Sequence, residues 1–113
     1  MTTETTELDP EDAKIITLAR SSRARFGAAE GAAVRDATGR TYAAVTVTLP
    51  SLALSALELA VAMAVSSGAD RLEAAAVVSE ATELTDAALA PALDLKVGAV
   101  FLAAPDGTVV ARR

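Results

Sequence analysis

The sequence predicts an α/β domain in three layers, with helices on both faces of a mixed sheet of about five strands, in the order α-β-β-α-β-α-β-β. Three observations predict it. The run LEAAAVVS over Leu72–Ser79 is almost wholly apolar, as a strand covered on both faces would be. It follows a long apolar stretch, LPSLALSALELAVAMAVSSG over Leu49–Gly68, which reads as a buried helix. Two turn signals, Thr38-Gly39 and Pro105-Asp106-Gly107, sit between β-rich runs on either side and supply antiparallel hairpins.

The elements follow in order. Met1–Leu8 (MTTETTEL) is a Thr/Glu-rich segment that cannot bury enough apolar area to order itself, and it is expected to be a disordered tail. Residues 9–113 are then expected to form a single domain. Asp9 is placed as an N-cap with Pro10 at the first helical position, and Glu11 and Asp12 suit the first turn. Ile15, Ile16, Leu18 and Ala19 give this helix its apolar face, and it should end near Arg25 or Phe26. Ala32, Val34 and Ala37 lead into the Thr38-Gly39 turn, and YAAVTVT over Tyr42–Thr48 returns as a β-branched strand.

In the central stretch Pro50 is a first-turn proline, Ser51 a candidate N-cap and Gly68 a left-handed C-cap. Apolar residues lie all round the wheel, so the helix is expected to be buried all round. At about 16 residues and roughly 24 Å it is too short to span a membrane. After Leu72–Ser79, Thr85 is placed as the cap of a short helix, Asp86–Leu93, which tolerates Pro91 only with a kink or an early end. Val97–Ala103 and Thr108–Ala111 form the closing strand pair.

Hydrophobic residues make up 52% of the chain and aromatics 3%, so the core is built of Ala, Val and Leu, which permits close helix–sheet contact. The mean hydropathy of +0.39 is high for a chain with no membrane segment and points to apolar surface covered by another subunit. A net charge of −5 and a pI near 4.6 argue against a nucleic-acid or anionic-membrane partner. No leader is visible at the start, and the expected location is the cytoplasm. Cysteine and histidine are both absent. That excludes disulfides, thiolate nucleophiles, Cys/His zinc sites and His-dependent triads, and no cofactor is expected.

Three segments resemble the small tetrameric cytidine deaminases. RSSRARFGAAEGAAVRDATGRTYAAVTV is similar to that family's opening, in which an aromatic-Ser-x-Phe-x-Val-Gly-Ala-Ala run leads into the first hairpin. SALELAVAMAVSSG resembles the family's zinc helix, which begins Cys-Ala-Glu-Arg and ends Ser-x-Gly, and KVGAVFLAAPDGTVV matches its last hairpin. The resemblance spans roughly Ala13–Val110 and implies a cytidine-deaminase-like fold. It places the first zinc Cys at Ser55 and the catalytic Glu at Leu57, with Glu58 one residue later. The Pro-Cys-x-x-Cys that supplies the other ligands falls within Thr82–Leu89, where no such ligand stands. The nucleoside-binding Asn and Glu fall near Thr46 and Thr48, the pocket Phe at Ala28 and its following Val at Glu30. Hydrolytic deamination needs a metal-activated hydroxide and a carboxyl that shuttles protons, and neither carries over.

Two readings remain open at each candidate residue. Glu58, the single charge in the helix, is either paired with an Arg or an oligomer interface, or it binds a ligand. Thr46, Thr48, Ser51 and Ser55 are cap and strand residues, or they hydrogen-bond a small ligand at a helix N-terminus. Arg20, Arg23 and Arg25 are a solvated helix end or an anion patch. No catalytic or metal-ligating residue is expected. The expected function is a non-catalytic relative, a homo-oligomeric structural, regulatory or interaction module. The resemblance implies a dimer or tetramer joined through the 50–68 helix. The alternative is a nucleoside deaminase, hydrolase or nucleoside-binding protein with an unconventional site.

Overall fold

A computed structural model describes residues 8–113, so the expected tail lies outside the described residues except for Leu8, which is half-buried beside the first helix. Helix α1 (Pro10–Phe26) starts where Asp9 accepts a hydrogen bond from the Glu11 N–H at 2.8 Å, and it ends on left-handed Gly27. The strands are β1 (Gly31–Asp36), β2 (Thr41–Val45), β3 (Val47–Leu49), β4 (Leu52–Leu54), β5 (Leu72–Val78), β6 (Ala99–Ala103) and β7 (Val109–Arg112). Helices α2 (Ala56–Ser66) and α3 (Asp86–Asp94) complete the chain.

Five strands form one mixed sheet in the order β2-β1-β5-β6-β7, parallel only between β5 and β6. That pair is joined through α3, the crossover that parallel neighbours require. Strand alternation divides the core in two. Ala33, Ala74, Ala76, Val78, Phe101 and Ala103 face α1 and meet Ile15, Ile16 and Ala19. Ala32, Val34, Ala75, Val77, Val100 and Leu102 face α2 and α3. The small side chains let α1 lie close on the sheet. A Cβ added at Gly31 would stand 2.1 Å from the Ala19 carbonyl oxygen, so this crossing accepts glycine alone.

The three-layer prediction holds, and the central helix needs correcting. Pro50 and Ser51 do not open it. They form the two-residue turn of a separate ribbon, in which Leu49 pairs with Leu52 and Val47 with Leu54. The helix starts at Ala56; its end is as expected, with Ser67 as C-cap followed by left-handed Gly68 (φ 104°). Nor is it buried all round. Ala56, Leu57, Ala60, Val61 and Ala64 face the core, whereas Ala62, Met63 and Val65 face outward. Helix α3 runs through Pro91 to Asp94.

Asp36, at the end of β1, is one of two buried polar residues among those described. Its Oδ1 accepts from the Thr38 N–H and hydroxyl and from the Arg40 N–H, and its Oδ2 accepts from the Tyr42 hydroxyl at 3.0 Å. It therefore organises the whole first hairpin turn. On the opposite face, Arg35 is held by Asp12 at 3.0 Å and Glu73 at 2.8 Å, fixing the start of α1 to β1 and β5.

Candidate functional site

The α2 N-terminus carries two of the four candidate residues, Ser55 and Glu58, and each is engaged with the chain itself. Ser55 is the N-cap, and its Oγ accepts from the Glu58 N–H at 3.0 Å. The Glu58 carboxylate reaches back and accepts from the Ser55 N–H at 2.8 Å. This reciprocal pair is a capping box, encoded by the Ser55-Ala56-Leu57-Glu58 spacing. It removes the puzzle of a lone charge in an apolar helix. Glu58 is half-buried in the first turn, where the helix dipole favours a negative charge. Its partner is its own backbone; it makes no ion pair with an Arg.

Thr46 lies between β2 and β3 and clamps Glu30. The Thr46 N–H donates to the Glu30 carbonyl at 3.3 Å, and the Glu30 N–H donates to Thr46 Oγ1 at 3.1 Å. The Glu30 carboxylate then crosses to α2 and accepts from the Ala56 N–H at 3.3 Å. Position 30 is where the resemblance sets a Val, and sequence reasoning assigned Glu30 no role. The signal was there as a carboxylate in place of an apolar residue, but its partner is 26 residues away.

Thr48 is not brought to this cluster. It lies exposed on the β3–β4 ribbon opposite Ala53. Leu57, where the resemblance sets the proton shuttle, points into the core and is 2% exposed. In the segment 82–89, Thr85 is spent capping α3 through the Ala88 N–H, and Leu84 packs on the core. Among the described residues, no three Asp or Glu side chains are grouped to hold a metal ion.

Open space lies elsewhere. A polar cavity of about 400 Å³ sits beyond the C-terminal end of α2, between Asp36, Arg40, Asp70 and Arg71. An apolar groove of about 390 Å³ runs along the outward side of α2, lined by Tyr42, Leu59, Ala62, Met63, Ser66 and Ser67. Neither is lined by Thr46, Thr48, Ser55 or Glu58. Of the α1 arginines, Arg20 donates to the Pro105 carbonyl, Arg23 donates to the Ala29 carbonyl and pairs with Glu80, and Arg25 is exposed with its guanidinium over the Phe26 ring. No helix among the described residues is long and apolar enough to cross a membrane.

Comparison with known proteins agrees with this architecture. A family model described as cytidine deaminase-like matches residues 8–107. The 1.6 Å crystal structure of a cytidine deaminase from Burkholderia pseudomallei superposes with a TM-score of 0.73. It is 22% identical, over 88% of this chain and 89% of that one, a likeness that speaks for the fold. A search of curated proteins gives no match.

Proposed function

Since this chain belongs to the cytidine deaminase-like family, we propose that it is a non-catalytic member, a homo-oligomeric structural or regulatory module that keeps the scaffold without the chemistry. One observation carries this reading. Where the resemblance sets a zinc ligand and a proton shuttle, Ser55 and Glu58 satisfy the helix end and Leu57 fills the core.

The donor set does not suit zinc. With no cysteine or histidine, the ion would need oxygen ligands, and a serine hydroxyl that already accepts a backbone N–H is a weak one. Leu57 cannot carry a proton. The residues at this position bind and orient one another: Ser55 Oγ and one oxygen of the Glu58 carboxylate are taken up by the helix end.

The outward side of α2 supports association between copies. Met63 and Val65 are 37% and 49% exposed on a helix with no charged residue after Glu58, and the groove beside Tyr42 continues that surface. The acidic net charge disfavours nucleic acid, and the cysteine-free composition suits the cytoplasm. Light scattering of the purified chain is expected to give a dimer or tetramer. Met63→Glu with Val65→Glu should shift it toward a monomer while leaving the melting transition cooperative. A wild-type monomer at micromolar concentration would remove the oligomeric half of the proposal. Elemental analysis of the same sample addresses the other half, because stoichiometric zinc is incompatible with it.

A further inference from the structure

We propose that Glu30 is a strap that ties the α1–β1 and β2–β3 junctions to the start of α2 and holds the first turn of that helix in place. Three contacts place it. Its backbone is held on both sides by Thr46, through the N–H to Thr46 Oγ1 and through the carbonyl to the Thr46 N–H. Its carboxylate accepts from the Ala56 N–H, one of the helix-start donors that has no partner within the helix. Glu58 and Ser55 take neighbouring donors, so the first turn of α2 is held partly by its own capping box and partly by a residue from a distant loop.

The consequence is conformational. A capping box fixes only the local geometry of its own helix. Glu30 links the α1–β1 junction to the β2–β3 junction through its backbone and to α2 through its carboxylate. The three elements that meet at this end of α2 are thereby joined. The strap goes beyond the non-catalytic reading and rests on the hydrogen bonds alone. Turnover of a nucleoside would overturn that reading and leave the strap standing, whereas an unprotected Ala56 amide would do the reverse.

Amide hydrogen exchange and thermal melting of Glu30→Ala and Glu30→Gln test it. In Glu30→Ala the Ala56 amide is expected to exchange about tenfold faster, the factor that follows from losing one charge-assisted hydrogen bond. The Glu58 amide, held by Ser55, should exchange at a rate changed far less. The melting midpoint should fall by roughly 5 °C. Glu30→Gln keeps an acceptor oxygen and should lie between wild type and Glu30→Ala. A merely general loss of stability would speed both amides equally, and that result overturns the proposal, as does an Ala56 amide that exchanges at the wild-type rate. Should Glu30→Ala fail to fold, the Ala56-to-Glu58 exchange ratio in Glu30→Gln decides alone.

Discussion

Leu57→Glu, which restores an acid at the position the family resemblance assigns to the proton shuttle, is expected to destabilise the fold by about 3–5 kcal/mol and to confer no activity. Leu57 is 2% exposed and packs in the cluster shared by Ala32, Val34, Ala60 and Leu89. A carboxylate there would leave water for an apolar surround with no cation beside it, so it would stay protonated or force the helix away. Against a total stability on the order of 5–15 kcal/mol for a domain of this kind, that is a large fraction. Leu57→Met conserves volume and should cost less than about 1.5 kcal/mol. Urea unfolding of both variants separates the cases. If Leu57→Glu unfolds with wild type, position 57 faces an open cleft and the packing account of α2 is wrong.

Asp36→Ala is expected to destabilise by about 2–3 kcal/mol at neutral pH, because it strands the Thr38, Arg40 and Tyr42 donors together. The same site sets an acid limb. Burial pushes the Asp36 carboxyl up, but the Thr38 hydroxyl, the Arg40 N–H, the Tyr42 hydroxyl and the Thr38 N–H together hold it below its ordinary value of 3.8. A carboxyl whose folded value lies below its unfolded value binds fewer protons when folded. Its contribution is therefore complete above pH 3.8 and is lost as pH falls through the lower, folded value. The difference in stability between wild type and Asp36→Ala should stay constant from neutral pH down to about 3.8 and shrink from there toward the lower, folded value. A difference that stays flat into strong acid would show that the carboxylate's charge is not what the hairpin uses.

The fold was legible because its signals are local. Asp9-Pro10, the Thr38-Gly39 turn, Thr85 and Pro105-Asp106-Gly107 each act within a few residues, and each lies at the boundary expected of it. The start of the central helix was misread because Pro50 and Ser51 suit either a helix start or a tight turn. Tertiary pairing of Leu49 with Leu52 decided between them. The better signal is Ser55 followed three residues later by Glu58, a capping-box spacing that marks the true helix start. The expectation of all-round burial failed for a related reason. An apolar helix surface in an isolated chain registers as exposed, and Met63 and Val65 are covered only if a second chain covers them.

The candidate site was legible as a place and not as a set of contacts. Thr46, Ser55 and Glu58 do converge near the start of α2, yet Thr48 does not, because β3 leaves the main sheet for the ribbon. Glu30 and Asp36 were missed for different reasons. Asp36 begins a turn whose Thr-Gly pair drew the reading two residues too late. Glu30 works across 26 residues, and no local pattern encodes such a contact.

At the start of α2 the backbone donors are satisfied by Ser55, Glu58 and Glu30, and Leu57 is packed away in the core. The most direct measurement is uridine formation from cytidine by the full chain supplied with zinc. The expected result is no uridine above the uncatalysed rate, with or without the metal. Zinc-dependent uridine that scales with protein concentration and persists in the Leu57→Met variant would contradict it.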